Sequence, residues 1–460
     1  MVAPLDKFPP TDAPRTSLRD SKAARWTALM IVSFTMLCGY FVADVASPLE
    51  LAIEKRLSWT SADYGFYTGA YAWFNVFLGM LVLGGIILDR KGARFAGTLG
   101  GVLMVAGAAL NGWGFKSTGI GTSGGVWVAS LGYATFGMGL ELCGITASKI
   151  VARWFKDREM ALAMGLQVST ARIGTAMALG LALPFANRFG SVSAPVILGT
   201  VLLGVGLIAF LFYCAMDSKL DASEGGDSSV PNEDEAFRLS DIGDILRIRG
   251  FWYIAILCAL FYAAVFPFLK YATGLMMQKY GVSEGFAGAI PSILPFAAIP
   301  LTVVFGAYYD RRGKGASMMI LGSILLVAVH AVFTAPGLNH WIVALLATVV
   351  LGFAFALVPS AMWPSVPRFV PQRQLGTAFA LIFFIQNLVA LFGVPYLIGV
   401  VLNRFCVVGT TEDGASKIYD YTLPMALFAA ISVLSVLFAF LLKAEDKRMG
   451  YGLELPSQKQ

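Results

Sequence analysis

The sequence predicts an all-α membrane protein: twelve transmembrane helices in two six-helix bundles, with both termini cytoplasmic. Three observations predict it. First, the 460 residues are 57% hydrophobic and only 13% charged, with mean hydropathy +0.72, too little polar surface for a water-soluble domain of this size. Second, runs of about 20 apolar residues, each long enough to cross a bilayer, recur from one end to the other. Third, Lys and Arg gather at alternate run ends: with the first tail inside, inner segments hold 24, outer loops 7 and spans 3 of the 34. That asymmetry sets the orientation.

Residues 1–25 are polar, offer no secretory apolar core and read as a cytoplasmic tail. The spans follow at 26–47, 63–88, 94–114, 124–151, 160–183 and 193–216, giving an N-terminal bundle of 26–216. A stretch rich in Ser, Gly, Asp and Glu, 217–249, reads as a solvated cytoplasmic linker. Its end, LSDIGDILRIR, suits a short amphipathic helix capped by Ser240 or Asp241. The C-terminal bundle, 250–443, holds spans at 250–277, 284–309, 316–336, 341–362, 375–402 and 422–443. Pro267 and Lys270 interrupt the seventh. Residues 444–460 read as a cytoplasmic C-terminal tail.

The bundles repeat. GIILDRKGAR (85–94) follows the second span and GAYYDRRGKG (306–315) the eighth, both Gly-x-x-x-Asp-Arg-x-Gly, 221 residues apart. A fainter echo joins RWFKDREMALAMG (153–165) to RFVPQRQLGTAFA (368–380). Duplicated halves with a site at their interface mark alternating-access carriers. Asp89, Arg90 and Arg94 in the first copy, with Asp310 and Arg311 in the second, are candidate gating residues. A carboxylate at a helix end can meet the positive N-terminus of a helix from the other half; plain positive-inside anchoring is the alternative.

Two charges stand inside apolar runs: Glu141 in the fourth span and Arg172 in the fifth. A charge in hydrocarbon is costly and faces a protein interior or a wet cavity. Each lies 12 residues from the inner end of its helix, roughly 18 Å by helix rise, so the two share a layer. They read as a substrate pair for a small charged solute, or as an internal salt bridge. Other candidate site residues are Tyr40, Tyr67, Tyr71, Tyr262, Gln386 and Asn387. Lys270 falls between a cavity role and the outer interface, Lys149 reads as a snorkelling cation, and Asp44, at the outer end of the first span, reads as solvated, with a gating or cation-binding role as the alternative. The five scattered cysteines show no metal or redox spacing. With two histidines besides, no metal or other cofactor is expected. No nucleophile–base set or nucleotide loop points to an enzyme. The basic residues lie at helix ends, which speaks for lipid rather than nucleic acid as partner. No Asn-x-Ser/Thr acceptor occurs, and a monomer is expected.

The twice-used loop resembles the signature of the major facilitator superfamily, Gly-x-Leu-Ala-Asp-Arg-x-Gly-Arg-Arg, with Ala93 at a usually basic position. The resemblance covers nearly the whole chain. The fourth span lacks the Arg that precedes a spaced glycine pair in many proton-coupled members, and the fifth lacks the antiporter Gly-Pro. The Glu-x-x-Glu-Arg element of oligopeptide symporters and the nitrate-carrier signatures are also absent. YFVADVASPL (40–49), YAWFNVFLG (71–79), ALVPSAMWPSVP (356–367) and QLGTAFALIFFIQNLV (374–389) resemble the major facilitator superfamily domain-containing protein 1 family of lysosomal dipeptide transporters. That resemblance implies dipeptide transport, with Glu141 facing the peptide amino group and Arg172 its carboxylate. A carrier of organic anions such as monocarboxylates, with protons as co-substrate, is the second reading. The acidic dileucine sorting signal of the animal family is missing, so the expected location is a bacterial inner (plasma) membrane.

Overall fold

The computed structural model describes residues 18–116, 121–156, 159–224, 239–371, 374–411 and 416–456. The expected tail up to residue 17 and the middle of the expected linker lie outside the described residues. The half before residue 225 contains α1 (Lys22–Asp44), α2 (Glu50–Leu57), α3 (Ser61–Ala70), α4 (Trp73–Phe77), α5 (Met80–Lys116), α6 (Gly121–Trp154), α7 (Met160–Arg188) and α8 (Ser193–Glu224). The other half contains α9 (Leu239–Leu246), α10 (Arg249–Ala263), α11 (Phe266–Gln278), α12 (Ala289–Arg312), α13 (Gly315–Thr334), α14 (Trp341–Ser365), α15 (Leu375–Gln386), α16 (Val394–Phe405) and α17 (Thr422–Met449).

Among the described residues, eleven helical stretches are long and apolar enough to cross a membrane. The stretch missing from the expected dozen is 63–88, read as one helix. It breaks after Ala70 and again at Gly79, whose φ of +61° is left-handed, before continuing into α5. The first break lets α3 lie directly on α16: a Cβ on Gly65 would sit 2.8 Å from the Pro395 carbonyl oxygen and 3.1 Å from the Gly399 Cα. α5 then bends at Gly92 (φ +79°), joining the expected second and third spans. The interruption expected near Pro267 falls at Ala264–Val265, between α10 and α11, because the proline ring cannot follow a regular helical turn. The eleventh span carries a π-helical turn, Asn387–Gly393, just ahead of Pro395; the wider turn suits a residue that cannot donate an N–H. A hairpin unforeseen from sequence, β1 (Val407–Thr410) and β2 (Lys417–Tyr419), precedes α17.

The internal repeat is visible in the backbone. Gly92 and Gly313, 221 residues apart, both take positive φ, +79° and +68°, a conformation that glycine adopts without strain. In the second copy the chain end covers the turn. Past α17, Lys314 N–H donates to the Glu454 carbonyl (3.1 Å) and Gly315 N–H to the Leu453 carbonyl (2.9 Å), while the Glu454 carboxylate accepts from Ser317 N–H (2.8 Å). In the first half, α5 and α6 touch backbone to backbone. A Cβ on Gly107 would sit 2.3 Å from Phe136 N, and one on Gly132 would sit 2.3 Å from Asn111 N.

Contacts between the halves gather at the end away from the termini, here the far end. Tyr64 OH donates to the Lys270 carbonyl (3.0 Å), Asn187 Nδ2 to Glu284 Oε1 (2.9 Å), and Tyr419 OH to Glu54 Oε1. A Cβ on Gly288 would strike the Leu179 carbonyl at 2.0 Å.

Candidate functional site

Glu141 and Arg172 project from the middle of α6 and α7. Tyr71, at the break between α3 and α4, donates from its hydroxyl to Glu141 Oε1 (2.9 Å). The break matters here, because it turns a residue of the second span inward at this depth. Among the described residues, no ion pair within 4.0 Å joins Glu141 to Arg172, so the internal salt bridge weighed from sequence is not formed. Instead, the Arg172 guanidinium lies over the Phe355 ring, 4.6 Å from its centroid. Phe355 is on α14, in the opposite half. The Arg172 Nε is buried without a hydrogen-bond partner. Such an atom carries the desolvation cost of an unmade bond, and a guanidinium on an aromatic face keeps its planar fork free to grip a carboxylate.

The other candidates fall into two groups. Tyr40 is 38% exposed and within electrostatic reach of Glu141, Arg172 and Asp44. Tyr262 is also near Arg172; its ring stacks on Phe266 (4.8 Å) and meets Phe355 edge-on (6.2 Å), and its hydroxyl accepts from Trp363 Nε1 (3.4 Å). Gln386 is buried and accepts from Cys258 Sγ (3.5 Å). Asn387 is buried, donates to the Phe383 carbonyl (2.9 Å), and leaves its Oδ1 unpartnered.

Tyr67 and Lys270 belong to the far-end closure. Tyr67 is fully buried, accepts from Asn111 Nδ2 (3.0 Å), and stacks on Tyr133 (4.9 Å). Lys270 Nζ pairs with Asp44 Oδ1 at 2.8 Å, the side chains 12% and 16% exposed. It also donates to the Ala43 carbonyl (2.9 Å) and Tyr133 OH (3.4 Å). Asp44, expected in solvent, is instead held by Lys270 and by Thr175 Oγ1 (2.8 Å). The cause is α11 of the other half, which brings a cation against it.

The loop residues meet partners in their own half. Asp89 bonds Lys149 at 2.8 Å, with both side chains partly exposed. Arg94 bonds Asp221 (2.9 Å) and Ser218 Oγ (2.8 Å). Arg90, Asp310 and Arg311 are exposed. Sequence reasoning missed Phe355, Tyr133, Trp363 and Asn111, since an aromatic or lone amide in an apolar run reads as core. Among the described residues, no group of three or more His, Cys, Asp or Glu could hold a metal ion.

The pattern of the major facilitator superfamily matches residues 29–394. The chain belongs to the major facilitator superfamily. It is 28% identical over 399 residues to the mouse (Mus musculus) lysosomal dipeptide transporter MFSD1, covering 83% of this chain and 81% of that one. It is 24% identical over 367 residues to a probable sulfoacetate transporter, SauU, of Cupriavidus necator, covering 74% and 79%. The fold is similar to the crystal structure of the nucleoside transporter NupG, at TM-score 0.70 and 15% identity over 91% of this chain and 99% of that one. This superfamily member is thus a multi-pass, all-helical membrane protein, and its relatives are membrane transporters rather than enzymes.

Proposed function

We propose that this chain carries dipeptides across a bacterial inner membrane by alternating access, with twelve spans and both termini in the cytoplasm. The broken α3–α4 segment and the start of α5 together serve as the second span. Arg172 grips the peptide carboxylate, Glu141 takes the ammonium group, and Tyr40, Tyr71 and Tyr262 flank the cargo. The observation that carries this reading is the free fork of Arg172, lying on an aromatic ring of the opposite half with its Nε unpartnered. A zwitterion with poles several Å apart complements a carboxylate and a guanidinium at one depth. The halves, 26–216 and 250–443, meet at the far end and stand open toward the cytoplasm. Asp89, Arg90, Arg94, Asp310 and Arg311 latch the cytoplasmic side in the opposite state; here Asp89 is on Lys149. The protein acts as a monomer among lipids.

A second reading, a proton-coupled organic-anion carrier, is favoured by the similarity to SauU, a probable sulfoacetate transporter. Arg172 would then clamp the anion, and Glu141 would take up a proton. Uptake into proteoliposomes separates the two. Saturable uptake of labelled dipeptides that collapses in Arg172→Ala supports the first. Stabilisation and uptake of small organic acids without dipeptides overturns it in favour of the second.

A further inference from the structure

Two carboxyl groups lie in the far-end closure with no Lys or Arg among the described residues paired to them. Glu50 opens α2 and Glu54 follows one turn later; they are 1% and 6% exposed. Ser61 Oγ, fully buried, is 3.3 Å from Glu50 Oε1 and 2.8 Å from Glu54 Oε1. A serine hydroxyl has one proton to donate. If it donates to Glu54, the Glu50 contact is a hydrogen bond only when the Glu50 carboxyl donates to Ser61.

The facing wall belongs to the other half. Tyr419 OH donates to Glu54 Oε1. Tyr421 OH is buried within hydrogen-bonding reach of the Glu50 carboxyl, and Glu54 Oε2 is buried beside them. A Cβ on Gly274 would sit 2.2 Å from Tyr421 OH and 3.0 Å from Glu50 Oε2, so the hydroxyl is aimed into the carboxyl cluster. Tyr64 and Tyr271 also face it, from α3 and α11. Among the described residues, no Lys or Arg pairs with either carboxylate within 4.0 Å. Lys417 is in electrostatic reach of Glu54, but its Nζ is bonded to Asn403 Oδ1 (2.8 Å). The N-terminus of α2 adds only a partial positive potential at Glu50.

We infer that Glu50 and Glu54 form a proton-binding site that shares one proton and holds the far end closed. Loss of that proton leaves two like charges in a dry seam between the halves, which is strongly unfavourable and relieved when the seam opens to water. The inference rests on the alternating-access reading but not on the cargo.

The test uses the full chain in lipid nanodiscs, with spin labels on Phe189→Cys and Phe286→Cys, exposed at the far end of either half. Cys214 is replaced by Ser, the other four cysteines being buried. Pulsed electron spin distances are read without substrate. Between about pH 5 and pH 9, one linked proton changes the closed-to-open ratio by up to roughly tenfold per pH unit. Rising pH should lengthen the distance in the parent, and Glu50→Gln should keep it short throughout. A parent distance independent of pH overturns the inference whether or not the variant folds. An unchanged profile in Glu50→Gln also overturns it. A distance that follows sodium against choline at fixed pH overturns it in favour of a metal-cation site. Failure of dipeptide binding leaves this readout intact, so the two readings fail separately.

Discussion

Arg172→Ala tests the binding site most directly. Among the described residues this guanidinium pairs with no carboxylate; it rests 4.6 Å from the Phe355 centroid with a buried, unbonded Nε. Deleting it removes a cation–π contact worth about 0.5–2 kcal/mol and relieves an orphaned donor costing about 1–3 kcal/mol. The two nearly cancel, so ligand-free stability should change by no more than about 2 kcal/mol. With a dipeptide bound, the variant loses two charge-assisted hydrogen bonds, each about 1.5–3 kcal/mol. Affinity should then fall by about 3 kcal/mol or more, a hundredfold or greater. Arg172→Lys keeps the charge but not the fork and should fall between. Calorimetric titration with a dipeptide, beside thermal melts of the empty protein, reads both quantities. Dipeptide affinity within about threefold of the parent would refute the assigned role. So would a large loss of ligand-free stability shared by Glu141→Gln and no greater in the double variant, the mark of an internal pair.

Three further outcomes follow, two from the closure and one from the start of α17. Asp44→Asn leaves Lys270 without its counter-ion in a largely buried site. It should favour far-end opening by about 1–3 kcal/mol, seen as faster maleimide labelling of Thr68→Cys, buried in the closed state; Asp44→Ala with Lys270→Ala should recover part of the difference. Gly65→Val places methyl groups where a Cβ alone would already sit 2.8 Å from the Pro395 carbonyl oxygen, so the far end should stay open and uptake should cease while the protein still folds, read by the same labelling and by proteoliposome flux. At the start of α17, Asp420 Oδ1 accepts from Thr422 N–H (2.9 Å), and hydrogen bonds from Thr422 hold its carboxyl below the usual carboxylate range. A depressed value adds stability above the ordinary pKa of about 3.9 that is lost as pH falls through the lower folded value. Asp420→Ala should therefore lower the melting stability by about 1 kcal/mol at pH 7, and that difference should vanish in strong acid.

The superfamily was legible in the chain because bilayer length and the loop repeat are both written in residue types. The backbone confirms the repeat at a level that sequence could only suggest, in the shared positive φ of Gly92 and Gly313. The broken second span was not legible. Tyr71 and Ala72 are ordinary helix residues, and the break shows only in the tertiary arrangement, where α3 lies directly on α16. The π-helical turn at Asn387–Gly393 was equally hidden in a uniformly apolar run. Within the candidate site, Glu141 and Arg172 stood out because charge among hydrocarbon residues is conspicuous. Phe355 did not, being one more aromatic in an apolar helix. Asp44 misled because a carboxylate at a helix end is ordinarily wet; its partner, Lys270, lies 226 residues away in the other half.

The backbone contact between α5 and α6 has a consequence for how this chain can vary. At Gly107, Gly114 and Gly132, even one methyl group would meet a neighbouring main-chain nitrogen at 2.3–2.4 Å, and no rotamer change can move a main chain aside. These positions have almost no mutational latitude, and the two helices must travel as one plank. Whatever flexing the cycle needs is left to other segments, among them α12 and α14, each interrupted by two prolines.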